Sequence, residues 1–279
     1  MNIVAALSIV AGALIAAGLI MAYPRLRRRW RGPARLDREE ARTLVEQLPW
    51  RDLLDARQRA RLIGLSARLL ADVRFVGCKG LEVTRAMQLA VAGQASILCL
   101  GAQPGIFALP GEILIYPDAF YIPRDAPDEH GLIDDLPMLA SGEAWQEGRV
   151  ILSWSDVEDA LAGAADNVVL HEFAHLLDFA APDTAGAPPM ARIDSWSATF
   201  SEAFESLRRD GSPVIDMYGA ENPTEFFAVA VEAFFQRGAA LCRAHPSLYT
   251  LLAAYFDLDT ATETPRFASS SASAGLPIG

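Results

Sequence analysis

Asn167-Val-Val-Leu-His171-Glu172-Phe-Ala-His175-Leu-Leu-Asp178 is the stretch on which the reading of this 279-residue chain turns. Its apolar positions predict a helix over about 165–180. On a helix, His171 and His175 stand one turn apart on one face. Two imidazoles so placed can hold one Zn²⁺, and Glu172 is then free to reach a water on the metal. The chain has only four histidines, and this pair takes two of them. Val168, Val169, Leu170, Phe173, Ala174, Leu176 and Leu177 make the helix apolar, so it is expected to be buried. A buried helix does not carry two imidazoles and a carboxylate without partners. Zinc, one ion per chain, is the economical partner.

A catalytic zinc site needs a third protein ligand and an open position. The residues after His175 are Leu176, Leu177, Asp178, Phe179, Ala180 and Ala181, which excludes a nearby third histidine and with it the metzincin pattern. The alternative is a glutamate on a later helix, and Tyr218-Gly-Ala-Glu221-Asn222-Pro-Thr-Glu225 continuing through Glu232 to Phe235 offers three. Asn222 reads as a helix cap, with Pro223 at the first helical position and Glu225 at the third. Glu225 is therefore equally readable as a capping-box carboxylate reaching back to the Asn222 amide. Glu232, two turns on, shares its face and reads as a ligand or as the orienter of one. Glu221 precedes the helix and is expected in solvent. Spacing leaves Glu225 and Glu232 both open. Asp178 orients a histidine or caps the helix end, and His130 and His245 are isolated and receive no role.

Working outward, Asp37 caps a helix to about Leu48, and an Arg/Leu-rich helix follows at 53–72. Short β-prone runs at 73–76, 112–116 and 149–154 read as strands, the last offering an edge for substrate backbone. Residues 124–147 read as loop, and Ser155-Asp-Val-Glu158 as a capping box. Further helices are expected at 193–209, 223–237 and 246–256. With strands mostly before residue 155 and helices after it, the fold class is α+β. Residues 264–279, serine-rich at 268–275, are expected to be disordered.

The net charge of −11 is unevenly spread. Residues 1–38 hold seven arginines against Asp37 alone, a local +6, which leaves −17 for the rest. So acidic a body is a poor match for phosphate backbones, and direct nucleic-acid binding is not expected. Three cysteines without C-x-x-C spacing argue against a disulfide framework or a cysteine zinc site. Ile3 to Tyr23 carries no charge and, as a helix, spans roughly 30 Å. Arg25, Arg27, Arg28, Arg29 and Arg31 follow at once, on the wrong side for a cleaved signal peptide. The expected organisation is a single-pass anchor over 1–23 in the inner membrane and a basic juxtamembrane linker over 24–36. The body over 37–263 then faces the cytoplasm.

The blocks Val150-Ile-Leu-Ser-Trp154, Asn167–Asp178 and Tyr218 to Phe235 resemble the Mlc titration factor A family of zinc-dependent peptidases. The resemblance covers about a third of the chain, and its two active-site blocks stand in the family's order. It implies a gluzincin-type (zincin-like) metallopeptidase domain with the third zinc ligand at Glu225 and a catalytic tyrosine at Tyr218. It further implies aminopeptidase-like activity and binding to a glucose-regulated transcriptional repressor. The expected reaction is hydrolysis of a peptide or protein substrate, with Glu172 as general base and Tyr218 donating to the oxyanion. The rival reading is a membrane-tethered protein that sequesters the repressor, its peptidase chemistry vestigial. The intact Glu172 speaks against it, because a purely structural zinc site has no use for a base. A metal-free adaptor would leave both histidines unexplained.

Overall fold

The computed structural model describes residues 34–101, 109–122, 138–140, 142–145, 148–179 and 196–262. The anchor expected over 1–23, most of the linker and the tail over 264–279 lie outside these residues. Among the described residues no helix is long and apolar enough to cross a membrane.

Two helices open the described chain: α1 (Arg38–Gln47) and α2 (Ala56–Asp72). Each begins with a reciprocal cap, Asp37 with Glu40 and Asp55 with Gln58, which satisfies amides that a helix start leaves open. Strand β1 (Arg74–Gly77) follows, and then α3 (Arg85–Ile97). Helix α3 is absent from the sequence reading for a physical reason. Residues 89–100 are buried without a break, so beyond its first turn α3 has no solvent face and therefore no amphipathic period to detect.

The main sheet joins β1, β2 (Glu112–Tyr116), β6 (Arg149–Ser153) and β5 (Gly142–Trp145), in that spatial order. β1, β2 and β6 run parallel, and β5 pairs antiparallel with β6, Ala144 opposite Val150. A separate antiparallel pair is made by β3 (Phe120–Ile122) and β4 (Met138–Ala140). Two expectations are thereby corrected. The stretch 124–147 is not all loop, since it contains β4 and β5. And β6 is no edge, because its backbone is already paired on both sides; among the described residues the sheet ends at β1 on one side and β5 on the other. Ile113, Ile115, Val150 and Leu152 bury one face of the sheet completely. Leu114, Tyr116 and Ile151 form a small cluster on the other.

Helix α4 (Trp154–Ala162) starts after Ser153, whose hydroxyl bonds Ser155 Oγ at 2.8 Å, rather than with a capping box at Ser155, and it stops at Gly163, whose φ of 101° suits glycine. Helix α5 (Val168–Phe179) carries the histidines and lies against β5, β6, α3 and α4. Helix α6 (Trp196–Asp210) leads to a 3₁₀ turn, Met217–Ala220, and then to α7 (Pro223–Gln236), α8 (Gly238–Ala244) and α9 (Pro246–Phe256). The domain is helix-rich around a small sheet. Helix α7 runs through its middle, with residues 226 to 235 all buried. Phe226 meets Phe200 edge-on at 4.8 Å, and the Trp50 indole N–H donates to the Phe235 carbonyl at 2.7 Å. These contacts fix α7 against the rest of the core, and α5 packs along it.

Candidate metal centre

The packing of α5 on α7 decides which glutamate meets which histidine nitrogen. Glu225 Oε2 lies 3.2 Å from His171 Nε2 and 3.4 Å from His175 Nε2. Ligands at roughly 2.05 Å on a tetrahedral ion are separated by about 3.3 Å, so both distances from Glu225 Oε2 are those of ligands sharing one zinc ion. The candidate ligand atoms all lie within 4.8 Å of one another, and Glu225 Oε2 is buried without a well-formed hydrogen bond. A cationic partner fits this donor set.

Glu225 is held from behind by its own backbone. Its N–H donates to Asn222 Oδ1 at 2.9 Å, which is the cap read from the sequence. Its side chain, however, turns toward the histidines instead of closing the box. Glu232 sits on the opposite side of His171, accepting from Nδ1 at 2.8 Å and from the Asn167 backbone N–H at 2.5 Å. With Nδ1 engaged by a carboxylate, Nε2 is the nitrogen left to face a metal. Glu172 is buried on the same helix as both histidines. Tyr218, half exposed on the 3₁₀ turn, brings its ring centroid to 6.1 Å from that of His171. Asp216 caps that turn by accepting from the Tyr218 N–H at 2.7 Å. A Cβ on Gly219 would collide with Val229, so the turn is seated directly on α7.

The electrostatics of the cluster favour a charged His171 beside a charged Glu225. Burial works against charging His171, but the Glu225 and Glu232 carboxylates facing its two ring nitrogens outweigh it and raise its pKa to about 10. Burial likewise opposes ionisation of Glu225, yet the two histidines bring it down to about 2.

Several residues outside the motif complete the centre. Asp178, read as orienting a histidine or capping the helix end, is buried, and its Oδ2 accepts from Thr224 Oγ1 at 2.9 Å, tying the end of α5 to the start of α7 beside Glu225. Asn167 and Gln94, both fully buried, back the far side of His171. A polar residue inside the apolar run of α3 was the one available signal for Gln94. Glu221 is exposed, as read. His245 bonds Ser212 Oγ at 2.8 Å between α8 and α9 and takes no part, while His130 lies outside the described residues.

Residues 24–257 match the sequence profile described as glucose-regulated metallo-peptidase M90. An uncharacterized protein of Synechocystis sp. is 32% identical over 226 residues, 77% of this chain and 82% of the relative. Mlc titration factor A of Serratia proteamaculans is 31% identical over 252 residues, 84% of this chain and 95% of the relative. Mlc titration factor A of Salmonella typhimurium is 32% identical over 237 residues, 78% and 88% of the two chains.

Proposed function

The chain belongs to the glucose-regulated metallo-peptidase family, and on that premise we propose that it is a zinc-dependent peptidase. The observation that carries the proposal is the convergence of His171 Nε2, His175 Nε2 and Glu225 Oε2, with Glu172 on the same helix. These three side chains would hold the ion. Zinc bound there would supply Lewis acidity and would lower the pKa of a water to about 7. Glu172 takes the proton of the attacking water and passes it to the leaving amine. Tyr218 donates from its hydroxyl to the developing oxyanion. Strand β5 ends the sheet beside α5, and its outer edge offers backbone groups to an extended peptide. Substrates are peptides, cleaved in aminopeptidase-like fashion. Residues 3–23 anchor the domain to the inner membrane, with Arg25–Arg31 on the cytoplasmic side.

The name of the Serratia and Salmonella relatives favours a second role, binding of the repressor Mlc. The two roles separate in one variant. Glu172→Gln should keep one zinc per chain and lose about 10²- to 10⁴-fold in hydrolysis of chromogenic peptides, while repressor capture persists. Metal loss in this variant would overturn the separation of base from ligands.

A further inference from the structure

We infer that Gln94, on a helix that supplies no metal ligand, is a positioning residue for the metal centre, acting through Asn167 and Glu232 on His171. The inference rests on the zinc reading above. Asn167 is completely buried and uses all four of its polar groups. Its carbonyl accepts from the His171 N–H at 2.9 Å, and its Oδ1 accepts from the Leu170 N–H at 3.0 Å, so it caps α5. Its backbone N–H donates to Glu232 Oε2 at 2.5 Å, and its Nδ2 donates to Gln94 Oε1 at 2.8 Å. Glu232 Oε1 in turn accepts from His171 Nδ1 at 2.8 Å. One residue therefore joins α3, α5 and α7 at the nitrogen opposite the metal-facing one.

The chain of bonds has a single polarity. Asn167 Oδ1 is committed to the Leu170 N–H, so its amide cannot flip and Nδ2 must face Gln94. Gln94 must then present oxygen, and its Nε2 is left buried with no hydrogen-bond partner among the described residues. An unpartnered buried amide is costly, and an apolar side chain of similar shape would remove that cost. A glutamine at this place is therefore poorly explained by stability. It is explained by the acceptor it offers, which fixes Asn167, hence the Glu232 carboxylate and hence the direction of His171 Nε2.

The test uses the purified full-length chain. Gln94→Met keeps length and volume, removes the unpartnered donor and orphans Asn167 Nδ2, so the two effects on folding oppose each other. The zinc-free melting temperature should stay within about 3 °C of wild type. Zinc affinity, read by competition with a chromophoric chelator, should fall about 3- to 10-fold, less than the 10- to 100-fold typical of a residue bonded directly to the ligand. Combined with Glu232→Gln, Gln94→Met should add less than about twofold, because both act through one carboxylate. With Co²⁺ in place of zinc, the visible absorption band of Gln94→Met should shift in position or intensity. Unchanged zinc affinity and an unchanged Co²⁺ band, or losses that multiply in the double variant, would overturn the inference. A wild-type chain that takes up no zinc would overturn the metal-centre reading and this inference with it. Should Gln94→Met fail to fold, Asn167→Ser keeps the capping oxygen, loses the link to Gln94, and must show the same affinity loss and the same non-additivity.

Discussion

Glu225 and Glu232 lie two turns apart on one helix, and replacing each by glutamine should have different consequences. Glu232 accepts two hydrogen bonds, from His171 Nδ1 at 2.8 Å and the Asn167 N–H at 2.5 Å. Glutamine has one oxygen for these two donors and turns an NH₂ toward the other. One bond to a charged acceptor is lost, about 1.5–3 kcal/mol, or roughly 10- to 150-fold in zinc affinity. Glu225 stands 3.2 and 3.4 Å from the two Nε2 atoms and would contribute a ligand bond itself. Structural zinc sites bind with about 10–16 kcal/mol shared among four ligands, so one ligand is worth roughly 2.5–4 kcal/mol. Glu225→Gln should therefore weaken zinc about 100- to 1,000-fold, near tenfold more than Glu232→Gln at mid-range. The Asn222 cap uses the Glu225 backbone N–H and survives the change. Zinc titration against a competing fluorescent chelator measures both losses on one scale. A larger loss from Glu232→Gln would refute the reasoning, and small equal losses would return Glu225 to a capping role.

The titration of the zinc-free centre predicts a pH signature. His171 is raised from 6.5 to about 10, so its stabilisation is complete below 6.5 and lost as pH climbs toward 10. Glu225 is lowered from 4.5 to about 2, so its stabilisation is present above 4.5 and lost on acidification toward 2. Because zinc must displace the His171 proton, the melting-temperature increase on adding zinc should grow between pH 6.5 and 10; calorimetry showing a flat difference would contradict this. Thr224→Val removes the donor that Asp178 accepts and should cost about 1–3 kcal/mol, read as a lower urea midpoint at unchanged slope. A fluorescent reporter fused after Gly279 should light up and an alkaline phosphatase fusion stay inactive if residues 3–23 span with the arginines inside; the reverse pair would place the domain outside the cytoplasm.

Much of this protein was legible along the chain because it is local. One turn of helix sets His171 and His175 on a common face, and hydrophobic periodicity located α9 at 246–256 to the residue. Capping chemistry marked the starts of α1 and α7 at Asp37 and Asn222. The apolar run and arginine cluster before residue 32 are likewise properties of consecutive residues. What the chain could not reveal depends on residues far apart. Helix α3 is buried all round after its first turn, so no polar face betrays its period. Strand β5 has little pattern of its own and exists through its ladder with β6. Spacing leaves Glu225 and Glu232 both open and only the family resemblance favours Glu225; which side of His171 each one meets is set by how α7 lies along α5. Gln94 stands 73 residues before its partner Asn167, and no spacing rule connects them. Local hydrogen bonding and periodicity are written in neighbouring residues. The choice between two chemically identical carboxylates is made only when packed helices bring one to Nε2 and the other to Nδ1.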